Sequence, residues 1–159
     1  MATYPLILTF SEVVRVADGV ARIQGDLPVL AFERDSRWVC AATSAGGLEE
    51  SGATLAEAYA AFRVSIRFMV EDSAFDKDAP ENIGSLRFLE HEIACVMNTR
   101  DPMIERLWIE SLEELRGGRL RVGKDVSELP RLKAQDMRPV TVSALPDEDV
   151  SPDTLARAA

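Results

Sequence analysis

The chain has 159 residues, 47% of them hydrophobic and 28% charged, with a formal net charge of −9 at pH 7. That length can bury one core without disulfide or metal staples. The acidity removes the counterion release that drives general nucleic-acid binding, so nucleic acid is not an expected partner.

No apolar run approaches the roughly 20 residues that a membrane-spanning helix needs. Met1 to Phe10 has no basic leader ahead of its short apolar run, so a cytoplasmic protein without a secretory signal or membrane contact is expected. Cys40 and Cys95 sit among apolar neighbours and read as reduced, buried small hydrophobes. The basic residues from Arg116 to Arg121, with Lys124, Arg131 and Lys133, are interrupted by acids and read as a solvated face.

The first 45 residues read as strands. Leu6 to Val16 is β-rich and covers one long strand or two. Asp18-Gly19 is a turn signal between two alternating stretches, Val14 to Val16 and Val20 to Ile23. A strand at Val29 to Glu33, a turn at Arg34 to Ser36 and a return at Trp38 to Ala42 complete an antiparallel meander with one face free for helices.

Ser44 to Gly47 interrupts the strands, and Gly52 precedes a helix. Thr54 and Glu57 have the spacing of a capping box, in which Glu57 reaches back to the Thr54 amide. Leu55, Ala58, Tyr59, Phe62, Ile66 and Met69 then recur at helical spacing as one apolar stripe, and the helix is expected to stop near Glu71 or Asp72. The glycines lack a following Lys-Ser/Thr and the Gly-x-Gly-x-x-Gly pattern, and Glu49, Glu50 and Glu57 would repel a phosphate, so this is no nucleotide loop.

Ser73 to Gly84 reads as a polar linker or a long loop. A second helix is predicted over about Ser85 to Asn98, with Leu86, Leu89, Ile93 and Val96 or Met97 on one face. Asp101-Pro102 caps a third, whose stripe is Ile104, Leu107, Trp108, Leu112 and Leu115 and whose stop is Gly117-Gly118. The pair is expected to form a hairpin that packs on itself, on the sheet or on another subunit. Leu120 to Val122 is a candidate short strand. From about Ala134 the periodicity fades into a flexible tail. The whole is an α+β chain: a meander packed by an amphipathic helix (1–72), a helical extension (73–133) and a tail (134–159).

Chemical signatures are sparse. The single histidine, His91, shares a helix side with Cys95, but no second pair supports a metal site, and two ligands alone do not make a structural zinc site. Ser44, Ser51 and Ser65 have no Gly-x-Ser-x-Gly elbow. Glu49 with Glu50, and Asp76 with Asp78, are the loop carboxylate pairs that a metal-dependent hydrolase would use. No catalytic residue, cofactor or metal is assigned. Trp38 and Trp108, with Ile104 and Leu112, are assigned to the core or to an interface.

Gly52-Ala53-Thr54-Leu55-Ala56-Glu57-Ala58, after hairpin strands and a glycine-containing turn and before Tyr59, Phe62 and Ile66, resembles the N-terminal domain of HicB-type antitoxins. That domain is a small α+β fold related to a truncated ribonuclease H. The resemblance spans Ser36 to Met69, about a third of the chain. It implies a noncatalytic regulatory protein that neutralises a toxin. The basic DNA-binding end of that family has no counterpart here, and an acidic linker and helices stand where its next strand would be. The expected function is therefore a dimeric protein-interaction module with a basic protein partner. A metal-dependent hydrolase and a structural or accessory protein of a mobile element are the alternatives.

Overall fold

Alternation of apolar side chains along two unusually long strands organises the molecule. A computed structural model describes residues 3–76, 78–118 and 137–146. Strand β1 (Thr3–Val16) pairs antiparallel with β2 (Gly19–Arg34) along its full length, and β3 (Arg37–Ala42) and β4 (Glu49–Gly52) extend the sheet in the order β1-β2-β3-β4. Helix α1 (Leu55–Ser73) follows, then a small separate hairpin of β5 (Phe75–Asp76) and β6 (Ala79–Ile83). Helices α2 (Leu86–Asn98) and α3 (Pro102–Arg116) come next, and β7 (Thr141–Ala144) returns to pair antiparallel with β2.

Successive side chains on a strand point to opposite faces, so two apolar sets on one strand need two covers. Leu6, Leu8, Ile23, Val29 and Cys40 face α1 and α2, forming a core with Phe62, Ile66, Leu89 and Ile93. Ile7, Leu30, Phe32, Val39 and Ala41 face the other way and are covered by Ile104 and Trp108 of α3. The predicted helical pair is present, and it takes the sheet as its packing partner, with one helix on each face. Full burial of a residue such as Phe62 contributes about 1.5–3 kcal/mol. The α3 layer is also pinned by polar contacts: the Trp108 indole donates to the Leu6 carbonyl at 3.0 Å, and Thr3 and Ser111 join their hydroxyls.

Local signals set the ends of these elements. Asp35 and Ser36 both have positive φ, 54° and 62°, the turn geometry that matches strand twist in a two-residue hairpin. At the other hairpin the turn is Ala17-Asp18, one residue earlier than the sequence signal, because Gly19 already pairs with Val16. Asp18 then accepts the Leu86 amide at 2.9 Å and joins Ser85 in capping α2. Thr54 caps α1 by accepting the Glu57 amide, while Glu57 reaches back to the Ala53 amide rather than to that of Thr54. Asp101 accepts the amides of Met103 and Ile104, and Pro102 occupies the first turn of α3.

Strand β2 is continuous through Gly25 and Pro28, where the sequence suggests a break. Its second edge is shared: residues 21–24 pair with β7 and residues 29–34 with β3. Pro28 stands in the gap between them. Its missing amide hydrogen leaves no donor unpaired there, and its carbonyl accepts the Thr43 amide at 3.2 Å. Asp26, 5% exposed, closes the gap. Its carboxylate accepts the Thr9 hydroxyl at 2.7 Å and the Arg138 amide at 2.8 Å, and its own amide donates to the Arg138 carbonyl at 3.0 Å.

Several sequence expectations are corrected. Glu49 and Glu50 lie on a strand, β4, which the acidic sequence conceals. Ser73 to Gly84 contains the β5–β6 hairpin as well as polar loop. Val70 takes the buried place on α1 that periodicity assigned to Met69, which is half-buried. Cys95 is exposed, because two residues beyond Ile93 is the opposite side of a helix. Strand β7 falls inside the segment read as a tail, where four residues flanked by prolines show too little periodicity to be seen. Leu120 to Val122, residues 119–136 and residues 147–159 lie outside the described residues.

The junction of β7 with β2 is tight. A Cβ at Gly25 would lie 2.6 Å from Val140 Cα and 2.8 Å from the Pro139 carbonyl oxygen, both backbone atoms. Gly25→Ala is therefore expected to destabilise the fold by about 1–3 kcal/mol, read as a lower urea midpoint. Gly46→Ala, with no atom within 4 Å of its added Cβ, controls for crowding: its smaller cost comes from its left-handed backbone alone.

Candidate functional site

The residues proposed as interface anchors are mostly inside. Ile104 and Trp108 are 7% and 5% exposed, so their apolar area is already used against the sheet. Leu112 is half-buried beside them. Trp38 is half-buried on the other face, where its ring meets Tyr4 at a centroid distance of 5.8 Å. These four residues fall into two separate clusters.

The carboxylate pairs do not converge either. Adjacent strand residues point to opposite faces, and Glu49 pairs with Arg34 while Glu50 accepts the Ser65 hydroxyl. Asp76 accepts the Asp78 amide within its own hairpin. Among the described residues, no group of three histidine, cysteine or acidic side chains is placed to hold a metal ion. The glycine stretch has a backbone role: Ala45, Gly46 and Gly47 all have positive φ and turn the chain from β3 into β4.

Two clefts remain. One of about 510 Å³ opens where β2 changes partner, lined by Asp26, Pro28, Met97, Trp108, Met137 and Val140 among others. Both Asp26 carboxylate oxygens already accept hydrogen bonds, so that carboxylate is committed to the architecture. The other cleft, about 420 Å³, runs along the flank of α1 beside α2. Leu48, Phe68, Met69 and Val96 supply its apolar lining, and Asp72 and Glu92 are its charged members among the described residues. Neither of these acids makes an ion pair among the described residues.

Phe68 is 59% exposed and Val64, one turn earlier, 50%. Large apolar side chains one turn apart on the outer side of a helix form a contiguous stripe, and nothing among the described residues covers this one. Sequence reasoning missed this site because it followed only the inward stripe. The signal was available: Val64 and Phe68 each stand two residues beyond a core position, Phe62 and Ile66, and so point away from the sheet.

The two thiols differ sharply. Burial pushes the Cys40 thiol up to about 12, because the thiolate would lose its water in the α1-facing core. Burial raises the Tyr59 phenol in the same core, with the cation of Arg63 opposing the shift. Both groups keep their protons in the folded chain at a pH where the unfolded chain releases them. Stability from these groups is therefore full below the unfolded pKa and falls as pH rises through the alkaline range, for Cys40 from about 9 to about 12. Cys40→Ala should make that alkaline decline shallower in urea titrations at successive pH values. One thiol per chain, Cys95, should react with a thiol reagent in the native state, and both should react in denaturant.

No helix among the described residues is long and apolar enough to cross a membrane. Comparison of the chain with protein-family models, with curated proteins and with solved structures returns no match.

Proposed function

We propose that the chain is a noncatalytic protein-interaction module, antitoxin-like in its use, that holds a basic protein partner in the groove between α1 and α2. The observation that carries this reading is the composition of that groove: an apolar lining of Leu48, Phe68, Met69 and Val96 whose charged members, Asp72 and Glu92, are both acidic. A basic amphipathic segment matches both properties at once. Its apolar side would take Phe68 out of water, and its cations would meet Asp72 and Glu92. The chain's charge of −9 adds long-range attraction that raises the association rate more than the final affinity.

The HicB-like stretch supports the same reading through its order of parts: strand β3, a reversal at Ala45–Gly47, strand β4, and a Thr54-capped α1. The groove-lining residues Ser65, Phe68 and Met69 lie on that helix. Within this reading the chain acts by occupying a partner's surface, and it needs no nucleophile or bound metal to do so.

The test is affinity capture from native-host lysate with the tagged wild-type chain and with Phe68→Asp, partners being identified by mass spectrometry. A basic protein retained near stoichiometrically by the wild type and lost with Phe68→Asp is the expected result. Identical capture by both chains, or no partner for either, would overturn the proposal. Phe68 is exposed, so the substitution should change the unfolding free energy from urea titration by no more than about 0.5 kcal/mol.

A further inference from the structure

His91 and Cys95 stand one turn apart on the outward side of α2, both exposed, with Cys95 Sγ 3.6 Å from His91 Nε2. That separation has a chemical meaning beyond a weak hydrogen bond. Zinc binds a thiolate at about 2.3 Å and an imidazole nitrogen at about 2.0–2.1 Å, and a tetrahedral angle between those bonds places the two donor atoms about 3.6 Å apart. The pair is thus already spaced for two adjacent positions of one tetrahedral ion. One chain supplies only half of such a site, since no third histidine, cysteine or acidic ligand joins the pair among the described residues.

We propose that α2 carries half of a zinc site, completed by the same two residues of a second copy across a two-fold axis. Two-fold symmetry supplies two thiolates and two imidazoles from one repeated surface, a full tetrahedral set. Charge supports the assignment. Each Cys95 loses its thiol proton to solvent as its sulfur binds, and two thiolates balance the dipositive ion while both imidazoles stay neutral. The completed centre carries no net charge and is not penalised as a buried ion would be when two helices close over it. Beside the pair Ala94 is small, and Asn98, one turn on, is uncharged; Arg87, one turn before His91, is the charged neighbour on this side, and all three are exposed. No electron transfer is involved. His91 and Cys95 do not themselves line the groove, although their chain neighbours Glu92 and Val96 do, and the site does not rest on the function proposed for that groove.

The experiment measures the mass in solution of the purified, reduced, full-length chain after chelation, with and without added zinc. Light scattering should show the mass doubling with zinc at one ion per two chains, and excess chelator should reverse it. Cobalt in place of zinc should give the intense visible bands of a tetrahedral ion with sulfur-to-metal charge transfer. Cys95→Ser and His91→Ala should each abolish the doubling and keep the wild-type circular dichroism spectrum, because both side chains are exposed. Unchanged mass with zinc, one ion per chain, or a doubling that survives Cys95→Ser would each overturn the proposal.

Discussion

The fold depends on one strand that changes neighbour without changing direction. Strand β2 carries sixteen residues, and its second edge is given first to β7 and then to β3. A sheet edge left open at the change would expose amides and carbonyls with nothing to pair. The chain meets this with Pro28, which has no amide hydrogen, and with Asp26, whose buried carboxylate ties Thr9 of β1 to Arg138 ahead of β7. The helices follow from that continuity. Because β1 and β2 stay in register for fourteen pairs, each face presents an unbroken apolar strip, and α1 and α3 can each find one.

Much of this was legible because the signals were local. Asp35-Ser36, Thr54, Ser85 and Asp101-Pro102 act within a turn or so of themselves, and all four mark the element ends that the structure shows. The helical stripes were equally clear, since Phe62, Ile66, Leu89, Ile93, Ile104 and Trp108 repeat at helical spacing and are buried. What stayed hidden was nonlocal. Strand β4 is Glu-Glu-Ser-Gly, a poor strand sequence held by its pairing with β3. Strand β7 owes its place to partners over a hundred residues earlier. Pro28 reads as a break until its position at a change of partner is known. Which face of the sheet receives α2 and which receives α3 is likewise written in the parity of β1 and β2, and in neither helix.

The candidate sites show the same division. Tryptophan invites a reading as an interface anchor, yet Trp108 spends both its ring and its indole hydrogen on the sheet. The exposed apolar surface lies on Val64 and Phe68, residues that an inward-facing stripe leaves out. Cys40 and Cys95 looked alike in sequence, and the folded chain makes one a core residue and the other an exposed thiol. Side-chain type alone was a poor guide in each case. Position relative to the helix axis separated them.

The tie between Asp26 and Arg138 joins residues 112 positions apart. Loop-closure entropy grows only as the logarithm of length, so joining such distant points costs only about 2 kcal/mol more than closing a loop of some ten residues. The expense falls on time instead of stability: the hairpins and helices can assemble from near neighbours, whereas β7 has to wait until its place beside β2 exists. The final strand of the sheet is thus the natural last step of folding. Until it docks, Ala21 to Gln24 keep an open edge that a neighbouring chain could pair with, making the interval before closure the period of greatest exposure to misassembly.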